Sequence, residues 1–384
     1  AAGIRNEMPQ ETLLELAVWY DGLGQRAEAA RVLELAPPVA EVLYWRARLA
    51  GDAEAGALLE KADEASPELV FPFRPESAEV LKWAASRSAS WRPRYYLALV
   101  QWGAGNLHEA RRLLDECGEK PDYPPFYAAR ALAFDESSRE RSIADLERAA
   151  RLDPGQWRYG RMIADRQLRQ GSPPAALETA RRYAAQFPAN YILGMLQVKA
   201  LLANGRYRES ADRLARLQIL PYEGATEGRR LYREAHLMLA VEALRKGDAR
   251  GALRETSAAR LWPENLGAGK PYPEDVDERL EDFLAAQALA RRGGGAGSAE
   301  MLQKVVGYAG RERGAGTLVE ALALKQTGRE ATGRKLLTDW SSREPQNAVA
   351  AWALRAYDGQ AGPPPDAAPE EARVLAAWLA PARK

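Results

Sequence analysis

The residues of this chain that could carry chemistry are sparse, and they are densest in two stretches, PYEGATEGR at 221–229 and PENLGAGKPYPEDVDER at 263–279. Glu264, Glu274, Asp275, Asp277, Glu278 and Glu281 gather carboxylates there, the groups that general acid–base and glycosidic chemistry use in pairs. The same groups suit a helix start, where negative charge complements the helix dipole, and Asp277 is placed to cap the helix that follows. GAGK at 267–270 hints at a phosphate loop. That motif needs Gly where Glu264 stands and Ser or Thr where Pro271 stands, so a nucleotide site is not expected.

Other reactive types are isolated. His108 and His236 lie far apart and Cys117 is the single cysteine, so no metal cluster, internal disulfide or cysteine–histidine pair is legible. Cys117 reads as a small core residue on a helix. Low cysteine usage fits the cytoplasm without excluding export. No cofactor and no catalytic residue is assigned. Lys and Arg total 54 against 53 acidic residues, a net charge of +1. Nucleic-acid binding needs clustered positive excess, so neither nucleic acid nor an anionic membrane is the expected partner. No apolar run approaches the ~20 residues that span a bilayer.

Aromatic and guanidinium groups recur together at Trp91-Arg92-Pro93-Arg94-Tyr95-Tyr96, at Trp157-Arg158-Tyr159-Gly160-Arg161 and at Tyr191. Two readings stand. Trp and Arg are enriched at binding hot spots, which would make Trp91, Arg94, Tyr95, Trp157 and Arg158 ligand contacts. Alternatively these residues pack neighbouring repeats together, with Arg stems covering apolar surface.

The elements that must position these groups form a repeat. An apolar helical stretch ends at Gly, small residues open a second stretch four or five residues later, and a Pro closes it. Gly51 leads to Ala55-Gly56 and Pro67, Gly105 to Glu109-Ala110 and Pro121, and Gly171 to Ala175-Ala176 and Pro188. Gly205 leads to Glu209-Ser210 and Pro221, Gly247 to Gly251-Ala252 and Pro263, and Gly328 to Thr332-Gly333 and Pro345. A first unit, Gly24 to Glu28-Ala29, closes early at Pro37, and one around Ile143-Ala144 has lost its Gly. Gly takes the left-handed backbone past a helix end, a small residue lets two helices approach, and Pro ends a helix. The step from Gly171 to Gly205 matches the tetratricopeptide period of about 34 residues.

The expected fold is therefore all-α, a right-handed superhelical solenoid of tetratricopeptide-like helix pairs. It covers 1–358 with roughly nine to ten pairs and extended loops at 68–93, 220–229 and 262–279. GGGAG at 293–297 reads as a surface loop, residues 359–369 as a Pro/Gly-rich linker, and 370–384 as a helix capping the end of the array.

Several stretches resemble the C-terminal tetratricopeptide region of large bacterial multidomain proteins. In these an N-terminal galactose-mutarotase-like β region, of unassigned function, precedes the repeats. The likeness rests on NEMPQETLLELAVWY at 6–20, FPFRPES at 71–77, PPFYAARA at 124–131, DPGQWRYG at 153–160, LPYEGATEGR at 220–229 and WPENLGAGKPYPEDVDERLEDF at 262–283. It weakens after about residue 290. The resemblance implies the helical portion of a longer protein, consistent with a chain that opens at Ala1, and a link to carbohydrate.

Two functions follow as expectations. The first is a binding scaffold whose concave groove holds a partner protein or its own N-terminal domain, with the two long loops shaping one region. Tyr222, Glu223, Arg229, Glu264, Asn265, Lys270, Tyr272 and Arg279 are its candidate contacts. The second is a module of a carbohydrate-active enzyme, in which Glu223, Glu227, Glu264 and Asp277 complete a sugar site. A clamp for peptide carboxylates would need clustered lysines, and the chain has only ten.

Overall fold

The structure, a computed structural model, describes residues 8–134, 138–308, 314–360, 362–366 and 368–381. Linker positions 361 and 367 and the tail 382–384 therefore lie outside the described residues. Those residues are all-α: 21 α-helices and two short 3-10 turns, with no strand. Contacts divide the chain into two compact units, Ala1–Ile163 and Ala164–Lys384.

The first unit contains α1 (Pro9–Gly22), α2 (Arg26–Glu34), α3 (Ala40–Leu49), α4 (Asp52–Glu64), α5 (Ser77–Arg87), α6 (Arg92–Gly103), α7 (Leu107–Cys117), α8 (Pro124–Ala133) and α9 (Arg139–Leu152). Then comes α10 (Trp157–Arg169). The helices pack as consecutive pairs: α1 with α2, α3 with α4, α6 with α7, and α8 with α9. The core runs through Leu14, Leu33, Tyr44, Leu81, Tyr96, Leu114 and Phe126. The extended loop at 68–93 contains a helix of its own, α5, which packs on α3 and α6.

The second unit contains α11 (Pro173–Gln186), α12 (Tyr191–Ala203), α13 (Tyr207–Leu214), α14 (Glu227–Arg245), α15 (Ala249–Ala259), α16 (Arg279–Arg291), α17 (Gly295–Val306), α18 (Gly316–Gln326), α19 (Glu330–Arg343), α20 (Ala348–Tyr357) and α21 (Glu370–Leu379). The pairs are α12/α13, α14/α15, α16/α17 and α18/α19. Successive first helices touch, α14 on α16, α16 on α18 and α18 on α20, whereas successive second helices approach each other less. The first helices thus form the inner layer of this unit.

The repeat marks act as their chemistry dictates. Gly24, Gly105, Gly171, Gly205, Gly247 and Gly328 all take left-handed backbone at helix ends, with φ between +70° and +83°. Gly51 does not: its φ is −71°, and it is the extended residue that precedes α4. The small positions Ala110, Ala176, Ser210 and Ala252 are fully buried where paired helices meet. GGGAG is not a loop between helices. Gly293 makes the left-handed turn and Gly295 opens α17, so this run is a further repeat turn made almost wholly of Gly.

Candidate functional site

The structure brings the two long loops together. The Ile219 backbone N–H donates to Asn265 O at 2.8 Å, and the Asn265 amide donates to the carbonyls of Leu214 and Leu217 at 3.0 and 2.8 Å. Gly267 presses on this junction, since a Cβ there would sit 2.8 Å from Ile219 O. Asn265 is thus spent inside the fold, stitching the end of α13 to the loop after α15.

Other candidates are turned inward as well, Arg229 with its Nε and Nη1 buried and without a hydrogen-bond partner. Arg229 is 5% exposed, stacks on Trp262 at 4.5 Å and donates to Ala259 O at 2.7 Å. Burial, and then Arg233, pull its guanidinium below the usual arginine range. Arg279 is buried, with its guanidinium on Asp277 at 2.7 Å and Glu320 at 3.2 Å. Asp277 also accepts the Arg279 backbone N–H at 3.0 Å from one residue before the N-cap position of α16, which is Glu278. Burial works against the Asp277 charge, but Arg279 holds its carboxyl below the ordinary range. Tyr222, Glu223, Glu264, Lys270 and Tyr272 remain exposed, Tyr272 by 74% and Leu220 beside the first loop equally so.

In the aromatic–arginine clusters, burial favours packing. Trp91 and Tyr95 are core residues within a ring cluster that includes Tyr123 and Phe126. Arg94 donates to the carbonyls of Ala85, Ser88 and Ser90 at 2.8–3.0 Å, tying the turn before α6 to the end of α5. Trp157 is half-buried, and the exposed Arg158 lies over its ring at 4.8 Å. Cys117 is a buried thiol, pushed up to about 12 by burial. Among the described residues no group of acids, histidines and cysteine could hold a metal.

The most built surface in the second unit had no sequence signal. Helix α21 touches α20 but packs more extensively on α14, 138 residues earlier in one contact. Arg233 of α14 reaches Glu371, Glu234 grips Arg373 through two bonds of 2.7 Å, and Arg245 donates to Ala380 O at 2.9 Å and to Ala377 O. Those pairings run in the same order along both helices, so α21 lies parallel to α14. A cation at its C-terminal carbonyls and acids in its first turn both suit its dipole. Below it Ala372, Val374 and Leu375 are fully buried, and Trp378 meets Phe283 of α16 edge to face at 6.4 Å. Beside the start of α21 a cleft of about 470 Å³ opens, lined by Lys199, Leu202, Glu227, Arg230 and Met238 and by Asp366 and Glu370 of the C-terminal segment.

No family model matches the chain, and no curated protein matches it. Solved structures similar to it include a tetratricopeptide repeat protein from Parabacteroides merdae. That match has 12% identity and a TM-score of 0.34, and covers 73% of this chain and 98% of that one. A thermophilic tetratricopeptide protein of Thermus thermophilus is 22% identical, with 50% and 99% covered and a TM-score of 0.30. MamA from Desulfovibrio magneticus is 17% identical, with 46% and 93% covered and a TM-score of 0.29. The chain's own geometry is all-α, in consecutive helix pairs of tetratricopeptide type.

Proposed function

We propose that the chain is a binding scaffold whose inner layer in the second unit receives a helical segment of a protein partner or of another part of its own polypeptide. One observation carries this reading. The layer already holds a helix, α21, by a matched set of apolar and ionic contacts along α14 and α16. An amphipathic helix lying in an apolar groove is a recurrent mode of protein recognition. The exposed loop residues Tyr222, Glu223, Glu264, Lys270 and Tyr272 are secondary contacts in this reading, available to whatever flanks the bound helix.

The sugar-site reading has less support. Glu227 is paired with Lys199 at 2.6 Å and Asp277 with Arg279, while Glu223 and Glu264 stand exposed on different loops. The test uses the full chain with its own α21 loosened by Leu375→Asp. A labelled peptide of residues 366–381 should bind it saturably, and Arg233→Ala should weaken that binding at least five-fold. A peptide that shows no saturable binding up to millimolar concentration would sink the reading.

A further inference from the structure

We infer that α21 is a tethered stand-in for a helix of a partner protein, and that the partner's helix keeps α21's apolar stripe but bears a neutral side chain where α21 has Glu370. The inference rests on the helix-receiving face just described. It adds what the visiting helix looks like and what it must displace.

The seat of α21 is good in its apolar part and poor at one charge. Arg233 and Arg373 face four carboxylates: Glu234, Glu281, Glu370 and Glu371. Glu281 and Glu371 take the Arg233 guanidinium, and Glu234 takes Arg373. Glu370, 9% exposed, accepts only its own backbone N–H and approaches Arg233 no closer than 3.9 Å. A buried carboxylate with so distant a partner costs free energy. Burial and the neighbouring Glu371 accordingly raise its pKa. Arg233 and the exposed Arg230 of α14 attract it, but too weakly to offset that burial. A helix with Gln at this position would keep the shape of the contact and lose the desolvation cost, giving up only the distant Arg233 and Arg230 attractions and the dipole interaction of one acid.

The tether suits an element that leaves. Among its described residues, the linker GQAGPPPDAAP is held by the Trp352 indole N–H donating to Gly362 O at 3.0 Å and by the buried Ala368. A helix of ten residues is not stable alone, so α21 unfolds once it leaves the face. A short tether presents it at an effective concentration of roughly millimolar. A partner helix prevails by binding the same face more tightly than α21 does, and the neutral position supplies part of that margin.

The experiment compares two full-length chains, unmodified and with α21 loosened by Leu375→Asp and Trp378→Ala. Two labelled peptides of residues 366–381 are titrated, one of natural sequence and one with Glu370→Gln. The loosened chain should bind either peptide at least ten-fold more tightly than the unmodified chain, and the Gln peptide should bind at least three-fold more tightly than the natural one. Equal binding by the two chains overturns the stand-in role while leaving the helix-receiving face intact. Binding by neither chain overturns both, and equal affinities for the two peptides overturn the neutral position. A second measurement needs no substitution. In the unmodified chain, α21 amides should exchange at least ten-fold faster than α14 amides, and faster again with saturating Gln peptide. Protection of α21 equal to that of α14 would refute displacement.

Discussion

Glu41 sits 2% exposed in the first unit, where its carboxylate accepts from the Ser77 hydroxyl at 2.6 Å, while Ser77 in turn accepts from the Trp45 indole at 3.0 Å. Burial outweighs that hydrogen bond and the nearby Arg74, with Glu11 adding to the upward push, so the carboxyl rises from its ordinary 4.5 to about 7. The native state therefore holds a proton that the unfolded chain has released, and stability falls as pH rises from about 4.5 through about 7. Glu41→Gln keeps the acceptor for Ser77 and removes the titration. It should leave stability nearly unchanged at pH 4.5 and raise it at pH 8 by on the order of 3 kcal/mol, read from denaturant melts at the two pH values. Arg130 and Asp145 present the opposite case. They are buried together in a two-bond pair of 2.9 and 2.6 Å, and Arg130 also donates to Gly118 O at 2.7 Å. Asp145→Ala removes the buried partner and leaves Arg130 the exposed Glu119 carboxylate at 2.6 Å, so it should cost about 1.5–3 kcal/mol in the same melts. Neither pair was legible in the sequence. Positions 41 and 77, or 130 and 145, meet only because different helices bring them together. The same reason explains Arg229, Arg279 and Asn265. Their residue types suggested contacts for a partner, but the fold turns their donors inward.

At the scale of the element, much could be read in advance, because helix ends are local chemistry. The Gly that takes positive φ and the Pro that follows a second helix are properties of a few neighbouring residues, and they located most helix pairs. The misreadings have equally local causes. Gly51 carried the right spacing with the wrong dihedral, and GGGAG looked too flexible for a helix whose first turn it in fact forms. The small position within each second helix is not uniform either. At Gly333 a Cβ would stand 2.7 Å from Ala321 O of the paired helix, a backbone atom that cannot step aside. At Gly56 a Cβ would meet nothing within 4 Å. Gly333→Ala should therefore destabilise the protein by about 1–3 kcal/mol. Gly56→Ala should instead stabilise it by about 0.5–1 kcal/mol through helix propensity alone. A thermal-melt comparison that gave both substitutions the same sign would mean that small size at this position answers to something other than the approach of paired helices.

Over the whole molecule, the pattern legible in the sequence is one of neighbours: each helix packs against the next, and nothing in the repeat requires a distant residue. The α14–α21 seat breaks that pattern. It joins positions 233–245 to 371–380, and no local motif announces such a contact. Solenoid stability is close to a sum of nearest-neighbour terms, so a contact that skips from α21 back to α14 adds a term outside the series. Removing residues 368–384 exposes the apolar flank of α14 and α16 around Phe283, and also abolishes the strained burial of Glu370. The two effects oppose each other. Burial of Val374, Leu375 and Ala372 is the larger, since a buried Val or Leu side chain is worth about 1.5–3 kcal/mol. The truncated chain should thus be less stable by about 2–4 kcal/mol, with a melting point a few degrees lower. Glu370→Gln in the intact chain should shift the melting point the other way. A truncation without effect, alongside a stabilising Glu370→Gln, would mean that α21 rests on the face without contributing to it, and the two calorimetric scans together would show this directly.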